Sequence, residues 1–276
     1  MKRSSLILIS FIAAAVIGGL VYFYNAAKIT NPTVLQQAKK VTGIIPHRIA
    51  HAGGGFNKVN YTNSYDALDY NYDQGFLYFE LDFVFTSDNQ LVCLHDWKSN
   101  FKRTFGFETT KKYSLVEFER LVEDNTKFKN CTLKGLADWM IEHPLATIIT
   151  DVKEKNIVAL RDIYSTLPNA RQRVIPQVYQ PENFETIKAI GYQQIIWTLY
   201  RYRGGNESVL TALDTFSGPI AIAMPKKRAS SNLPTRLAER NIPTYVHTIN
   251  RPSDVNKYKN TYKISEIYTD YLIPTR

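Results

Sequence analysis

Strand-like and helix-like segments alternate from Pro46 to the C-terminus, and this pattern constrains the fold more than any other feature of the chain. Short apolar runs, from RIAHA (48–52) to EIYTDYL (266–272), are mostly separated by amphipathic patterns such as SLVEFERLVED (114–124). About eight such alternations fit a (β/α)8 TIM barrel, typically about 250 residues long, better than an open doubly wound sheet. We therefore predict one α/β TIM-barrel domain over residues 46–276.

An uncharged apolar segment, LILISFIAAAVIGGLVYFY (6–24), precedes the predicted barrel. Its length matches the about 20 residues that a membrane-spanning helix needs, and the preceding Lys2 and Arg3 favour a cytoplasmic N-terminus. We predict a cytoplasmic stretch at 1–5, a transmembrane anchor at 6–24, a linker at 25–45 and an extracytoplasmic (periplasmic or extracellular) barrel. A cleaved signal peptide is the alternative, although its apolar stretch is normally shorter and ends in an A-x-A-like site.

The net charge of +9 comes from Lys and Arg residues that are scattered along the chain. They form no basic run interleaved with aromatic residues, so the usual footprint of nucleic-acid binding is missing from the sequence. We expect no nucleic-acid partner. A basic surface suits an acidic substrate or an anionic membrane face.

Two cysteines, Cys93 and Cys131, show no metal-ligand spacing. They could form one disulfide in an oxidising compartment. Cys93, however, lies in the strand-like run QLVCLHD, where a small buried thiol is the commoner role. We therefore expect a buried thiol at Cys93.

Charged residues recur at the ends of the strand-like runs. Glu80 and Asp82 are two apart in one run, so both point to the same face of a strand, and Asp151 ends another run. Active-site groups of a TIM barrel gather at the C-terminal ends of its strands. Buried parallel carboxylates repel one another unless a proton or a cation compensates them, and oxygen-only ligands suit Ca²⁺ or Mg²⁺. We predict that these three acids hold such a divalent metal.

Two histidines and a lysine end further runs of the same kind: His51, His95 and Lys153. An imidazole can give and take a proton near neutral pH, so a pair can serve as general acid and general base. Lys153 adds fixed positive charge. Together with a hard metal, these groups are what displacement at an anionic phosphorus centre requires, and they predict metal-dependent phosphodiester cleavage.

Several motifs resemble the ordered landmarks of the glycerophosphodiester phosphodiesterase family. They are IAHAGGG (49–55), TNSYDAL (62–68), FELDFVFTSDNQLVCLHD (79–96), ITDVK (149–153), IIWTL (195–199), YVHTIN (245–250) and YTDYL (268–272). The resemblance implies a TIM barrel, a Ca²⁺ or Mg²⁺ ion held by Glu80, Asp82 and Asp151, an acid/base pair of His51 and His95, and a Lys153 that faces the phosphate.

Three positions depart from the family pattern. Ala52 stands where the family usually has an Arg, Thr62 where it has a Glu, and Asp151 where it has the longer Glu. Lys cannot reproduce the bidentate geometry of an Arg, so the change at position 52 bears on phosphate binding. These departures put the choice of substrate in doubt rather than the barrel or the metal site.

Further residues are candidates for substrate contact. Gly53, beside His51, would allow close backbone approach to a ligand, and Trp97 and Arg103 follow the third run, where a loop can reach substrate. Arg103 could partly replace the missing Arg. Trp197 is a candidate for stacking on a sugar or glycerol moiety. Asn63 is expected to cap the helix that follows it.

The sequence thus predicts a membrane-anchored, metal-dependent phosphodiester hydrolase that acts on a glycerophosphodiester or a related lipid head-group or envelope phosphodiester. Two alternatives stay open. A lyase related to phosphoinositide-specific phospholipase C or sphingomyelinase D would form a cyclic phosphate, and a non-catalytic module would bind an envelope phosphodiester without turnover.

Overall fold

Eight parallel strands close into a barrel in the structure, a computed structural model that describes residues 47–274. The first strand pairs with both the second and the last, which closes the sheet. The strands are β1 (Ile49–Ala50), β2 (Tyr78–Phe85), β3 (Leu91–Cys93), β4 (Thr147–Val152), β5 (Val174–Val178), β6 (Ile195–Thr198), β7 (Ile220–Pro225), β8 (Thr244–His247) and β9 (Glu266–Thr269), of which β3 lies outside the barrel. The predicted TIM barrel is confirmed.

The third apolar run, LVCLHD, is not a barrel strand. It forms β3, which pairs antiparallel with the end of β2, with Phe83 opposite Cys93. Between them, Thr86 accepts a hydrogen bond from the backbone N–H of Gln90 and closes a tight turn. A parallel return to the barrel needs a crossover of about a dozen residues, so this short connection can only make a hairpin. His95 therefore follows a hairpin arm rather than a barrel strand.

Helices surround the barrel and fill the connections between its strands. They are α1 (Tyr65–Asp73), α2 (Ser99–Phe105), α3 (Leu115–Asp124), α4 (Leu133–Glu142), α5 (Asn156–Thr166), α6 (Ala170–Arg173), α7 (Phe184–Ile190), α8 (Asn206–Asp214), α9 (Lys226–Ala229), α10 (Leu233–Ala238) and α11 (Pro252–Asn256). Short 3-10 turns at His51–Gly53 and Pro181–Asn183 and a π turn at Lys257–Thr261 complete the set. Ser64, not the expected Asn63, caps α1 by accepting the Ala67 N–H.

Side chains alternate between the inside and the outside of the barrel, as strand geometry requires. The lower layer of the interior is apolar and consists of Ile49, Ile149, Ile175, Ile196, Ala221, Ala223, Tyr245 and Tyr268. Side chains of the opposite parity, such as Phe79, Ile148 and Trp197, pack between the sheet and the helices. Two residues beyond the lower layer, several strands carry polar side chains, which form the mouth of the barrel.

Cys93 and Cys131 form a disulfide, so the expectation of a buried thiol at Cys93 was wrong. The bond joins β3 to the segment that precedes α4, and the Cys93 N–H also donates to the Cys131 carbonyl at 2.7 Å. The two cysteines are 38 positions apart in the sequence, and the chain between them folds back on itself, which the strand pattern around Cys93 does not reveal.

The predicted cytoplasmic stretch (1–5), anchor (6–24) and linker (25–45) lie outside the described residues. Within residues 47–274, no helix combines the length and the apolar character that crossing a membrane requires.

Candidate active site

Three carboxylates meet at the mouth of the barrel. Glu80 and Asp82 point inward from β2, and Asp151 lies in register with Asp82 on the adjacent β4. One oxygen atom from each carboxylate lies within 4.8 Å of the other two. All three side chains are buried. The structure therefore brings together the three acids that the sequence predicted as a metal site.

The charges in this cluster are only partly balanced. Lys153 Nζ donates to Asp82 Oδ1 at 2.7 Å and to Asp151 Oδ2 at 2.9 Å. Burial, followed by the charge of Asp82, raises the pKa of Glu80. Burial also opposes ionisation of Asp82, but the charge and hydrogen bond of Lys153, together with the charges of the two histidines, outweigh burial and lower the pKa of Asp82. One lysine against three acids leaves an excess of negative charge.

The same three acids fit a hard divalent cation. Their donors are all oxygen atoms, which Ca²⁺ and Mg²⁺ prefer. Outer contacts orient them: the Ala52 N–H donates to Glu80 Oε2 at 2.8 Å, and Asn63 Nδ2 donates to Asp82 Oδ2 at 3.1 Å. Such second contacts commonly orient metal ligands. The excess charge and the donor set together support a metal site here.

His51 follows β1 directly and lies in a short 3-10 turn. Its Nδ1 is 2.8 Å from Asp270 Oδ1, and the other oxygen of Asp270 accepts from Asn60 at 2.8 Å and Asn250 at 2.7 Å. Burial disfavours the charged imidazole, but the hydrogen bond to Asp270 and the charge of Glu80 outweigh burial and raise the pKa of His51 to about 9. Asp270 thus holds His51 in one orientation.

His95 has a similar partner. Its Nδ1 is 2.7 Å from Asp96 Oδ2, and its backbone N–H donates to Asn100 Oδ1 at 3.1 Å. Asp96 Oδ1 in turn accepts the backbone N–H groups of Lys98 and Asn100. Each histidine therefore has Nδ1 engaged by a carboxylate, which leaves Nε2 as the nitrogen available for proton exchange.

The ring of Tyr61 lies between the two histidines. Its centroid is 4.4 Å from that of His51 and 5.2 Å from that of His95, with edge-on geometry in both cases. The backbone of Tyr61 has a φ of 62°, a left-handed conformation that is rare for a bulky residue. Functional sites commonly hold residues in such conformations.

A cavity of about 190 Å³ opens among these groups. Part of its lining is ionisable and is formed by His51, His95, Glu80, Asp151 and Lys153, with Tyr61 beside them. The rest of the lining consists of uncharged polar or aromatic side chains, namely Gln177, Tyr200, His247 and Tyr268, and Tyr200 OH lies 3.4 Å from Asp151 Oδ2. The cavity therefore combines an acidic side, which suits a cation, with uncharged groups that can form hydrogen bonds.

Residues 51–273 match the family model described as the glycerophosphoryl diester phosphodiesterase family. The chain belongs to this family. It is accordingly an enzyme of the phosphoric diester hydrolase class, and the family resemblance seen in the sequence motifs is confirmed. Enzymes of the family are metal-dependent, in agreement with the acidic cluster. No match is found among curated proteins.

Solved structures of the family share the fold. A glycerophosphodiester phosphodiesterase from Thermotoga maritima is 20% identical with a TM-score of 0.60, and the match covers 82% of this chain and 96% of that one. A phosphodiesterase from Oleispira antarctica, solved with its product sn-glycerol-3-phosphate, is 16% identical with a TM-score of 0.63 and coverages of 82% and 94%. A glycerophosphoryl diester phosphodiesterase from Parabacteroides distasonis is 15% identical with a TM-score of 0.63, and the match covers 85% of this chain and 86% of that one.

Trp197, a predicted substrate contact, lies elsewhere in this family barrel. It has the outward parity on β6 and is fully buried against Phe184 and Tyr202, with ring centroids 5.2 and 4.9 Å away. Its Nε1 donates to the Tyr179 carbonyl. Trp197 therefore does not line the cavity. β6 is apolar on both faces, so the run IIWTLY does not reveal which face is inward.

Trp97 and Arg103 also lie away from the cavity. Trp97 packs in a satellite core with Phe101 and donates its Nε1 to the Phe85 carbonyl at 2.9 Å. Arg103 is exposed, and its guanidinium donates to the Tyr61 carbonyl at 3.0 Å and lies 5.4 Å from the centroid of the Tyr61 ring. Neither residue lines the cavity, so the structure does not bring them together with the clustered acids and histidines.

Gly53 is explained by backbone geometry. Its φ is 83°, and that of Gly54 is 88°. A Cβ atom at Gly54 would overlap the side-chain amide of Asn71, only 2.6 Å from its Cγ, and that amide donates to the Gly53 carbonyl at 3.1 Å. Gly53 does not line the cavity described above. The positive φ angles of the sharp turn are therefore sufficient to explain these glycines.

Three residues of the site had no functional role in the sequence predictions. Asp270 orients His51, Asn63 orients Asp82, and Tyr61 lies between the histidines. Asp270 follows β9 directly, so its position at a strand end was a usable signal. No sequence pattern indicated the position of Tyr61, because the conformation of a loop brings its ring to the site.

Proposed function

We propose that the chain hydrolyses a glycerophosphodiester, or a related phosphodiester from a lipid head group or the cell envelope, by acid/base catalysis with His51 and His95. The observation that carries the proposal is the pairing of each histidine with a carboxylate at Nδ1, beside a cavity lined by two of the three clustered acids, Glu80 and Asp151. A purely structural core would not bury this set of charges together.

Glu80, Asp82 and Asp151 would hold a divalent cation, Ca²⁺ or Mg²⁺. When bound there, such an ion supplies Lewis-acid stabilisation of charge on the phosphate oxygens. Lys153 lies beside the same acids and adds a second positive charge, which favours binding of an anionic phosphodiester in the charged half of the cavity.

One histidine would deprotonate the attacking water while the other protonates the leaving alkoxide. Because Asp270 and Asp96 each engage an Nδ1 atom, proton transfer would take place at the two Nε2 atoms. Asp270 would also stabilise the imidazolium form of His51 during the reaction. This arrangement gives each histidine a fixed orientation before substrate binds.

Ala52 changes the phosphate site relative to the family pattern. Its backbone is left-handed, with φ 50° and ψ 41°, and its N–H is directed at Glu80. The buried methyl group offers no hydrogen-bond donor to a phosphate. Lys153 would therefore supply most of the fixed positive charge, with one ammonium in place of a guanidinium fork.

The direct test uses purified protein with glycerophosphocholine. We expect hydrolysis that EDTA abolishes and Ca²⁺ or Mg²⁺ restores, and losses of about 10²–10⁴-fold in His51→Ala and His95→Ala. His143→Ala is the matched control, since His143 stacks on Trp139 with ring centroids 4.1 Å apart, outside the cavity. Full activity in both site variants would reject the histidine roles, and a cyclic phosphate product would identify a lyase.

We further propose that the barrel is extracytoplasmic and is anchored by residues 6–24. Two independent observations support this location: the uncharged apolar segment in the sequence and the Cys93–Cys131 disulfide, a bond that persists in oxidising compartments. Fractionation of cells and thiol alkylation of the unreduced protein test it. We expect a membrane-bound protein with no reactive thiol. Free thiols on protein from the soluble fraction would reject the proposal.

A further inference from the structure

His247 ends β8 and lines the cavity among its uncharged side chains. Its Nε2 is buried and has no hydrogen-bond partner among residues 47–274. A buried nitrogen without a partner costs about 1–3 kcal/mol, so most such groups in proteins are paired. In a family enzyme, an unpaired ring nitrogen on a residue that lines the active-site cavity is best explained by a partner that arrives with the substrate.

The surroundings of His247 define which chemical groups suit it. The rings of Tyr200 and Tyr268 both have centroids 5.8 Å from the imidazole, and Tyr268 OH lies 3.4 Å from Gln177 Oε1. None of these neighbours is an acid. This wall of the cavity therefore offers hydrogen bonds and aromatic surface without an opposing charge, which favours a neutral polar group over a cationic one.

The protonation state of His247 further restricts the chemical groups that can pair with it. Burial, followed by the charges of His51 and Lys153, lowers the pKa of His247 to about 4. A neutral imidazole carries one donor nitrogen and one acceptor nitrogen. A hydroxyl group can donate and accept, so it can pair with Nε2 in either tautomer. A quaternary ammonium has no proton to donate.

We propose that His247 determines substrate specificity by exchanging a hydrogen bond with a hydroxyl group of the alcohol that is esterified to the phosphate. This inference rests on the proposed phosphodiesterase function, because the ionisable part of the lining must hold the phosphate for the alcohol to reach His247. The cavity of about 190 Å³ restricts the alcohol to a small polyol. The interaction selects for a hydroxyl group and takes no part in proton transfer.

The test compares substrates that differ by a single hydroxyl group. Glycerophosphocholine is measured against its two deoxy analogues, the phosphocholine esters of propane-1,3-diol and propane-1,2-diol. For the full chain we expect kcat/KM to fall about tenfold for at least one analogue, the size expected for a net hydrogen bond. His247→Phe should lose about tenfold on glycerophosphocholine, lose little on that analogue, and so erase the preference.

Two further variants separate recognition from structure. His247→Gln keeps a polar nitrogen near the position of Nε2 and should recover part of the preference. His143→Phe, which replaces a histidine outside the cavity, should leave it unchanged. A folded His247→Phe protein that keeps the wild-type preference would overturn the inference, as would wild-type protein that treats all three substrates alike.

Measurements of ligand affinity test the specificity role of His247 separately from the proposed hydrolase activity, because they require no turnover. Calorimetry with Ca²⁺ compares sn-glycerol-3-phosphate with the phosphate monoesters of the two propanediols. A preference for the glycerol ester that depends on His247, without hydrolysis of any diester, would support the specificity role and reject the hydrolase proposal. Equal affinities for the three esters, in wild-type protein and His247→Phe alike, would reject the specificity role.

Discussion

The lower layer and the mouth of the barrel are formed by the same strands, only two residues apart, yet they have opposite chemistry. Ile149 is followed by Asp151 on β4, Ile175 by Gln177 on β5, and Tyr245 by His247 on β8. The lower layer consists of aliphatic and tyrosine side chains packed against one another. At the mouth, buried acids depend on Lys153 and on the hydrogen bonds that surround them.

The difference separates stability from function within a single sheet. Apolar burial contributes about 25 cal/mol per Å², so the lower layer stabilises the barrel whatever the mouth contains. The mouth places charges where desolvation and mutual repulsion disfavour them, and a substrate or cation offsets that cost. Of two substitutions that lie two residues apart on one strand, the one at the mouth should therefore lower activity and the one in the lower layer should lower stability.

The largest effect is expected from Glu80→Gln. Gln keeps an acceptor for the Ala52 N–H but removes one of three negative charges from the proposed metal site. We expect kcat/KM to fall about 10³-fold or more, since the metal chemistry contributes several kcal/mol. In EDTA, thermal unfolding should occur at the same temperature as in wild-type protein or higher, because repulsion with Asp82 is relieved.

The metal dependence of stability supplies the control for that variant. Wild-type protein at a cation concentration of about 100 Kd should gain about 2.7 kcal/mol in the free energy of unfolding, and Glu80→Gln should gain little. Thermal denaturation with and without Ca²⁺ measures the gain directly and needs no substrate. Equal stabilisation of both proteins would place the cation elsewhere.

Asp270→Asn should have the next largest effect. Asn preserves the shape of the side chain but removes the charge that Nδ1 of His51 faces at 2.8 Å. We expect kcat to fall about 10²-fold. We also expect a lower pKa for His51 in NMR titrations, because the Asp270 hydrogen bond helps to raise it. An unchanged His51 titration would show that Asp270 does not control this imidazole.

A lower-layer substitution should behave in the opposite way. Ile196→Ala removes a fully buried side chain from the apolar interior. We expect a loss of about 2–5 kcal/mol in the free energy of unfolding, with kcat of the folded protein nearly unchanged. Urea denaturation and steady-state kinetics on one preparation measure both quantities. A variant of wild-type stability that loses activity would contradict the separation of the two layers.

The two layers also differ in how far the sequence predicts them. The sequence shows which side chains of β2 share a face, because Glu80 and Asp82 alternate with Phe79 and Leu81. The acids of the proposed metal site could therefore be identified from the sequence alone. β6 gives no such contrast, because Ile195 and Ile196 are both buried on opposite faces, so the sequence does not show which face carries Trp197. Hydrophobicity reports burial, and in a parallel barrel both faces are buried.

Contacts between distant segments were the other obstacle. Cys93 and Cys131 are brought together by the return of β3 along β2, and Tyr61 reaches the histidines through a loop with left-handed residues. Neither arrangement produces a periodic pattern of residues that the sequence alone would show. Asp270 was accessible in principle, since it follows β9, but its pairing with His51 depends on the closure between β1 and β9.

The stability of the metal-free protein should depend on pH in a direction set by His51. Its pKa is raised from 6.5 to about 9 on folding, so its stabilising contribution is fully present below pH 6.5 and is lost as the pH rises through about 9. In EDTA, wild-type protein should lose stability as the pH rises from 6.5 to about 9, and His51→Gln should lose less. Urea unfolding at both pH values measures the difference.

The smallest effect is expected from Arg103→Ala. Arg103 contacts Tyr61 and not the cavity, so its loss should act only through the position of the Tyr61 ring. An exposed cation–π contact contributes about 0.5–1 kcal/mol, which corresponds to about 2- to 5-fold in kcat/KM. Lys102→Ala is the matched control, because Lys102 is exposed on the same helix and pairs with Glu108. A loss above about 10²-fold, carried by KM, would mean that Arg103 reaches the phosphate during turnover and replaces the cation missing at position 52.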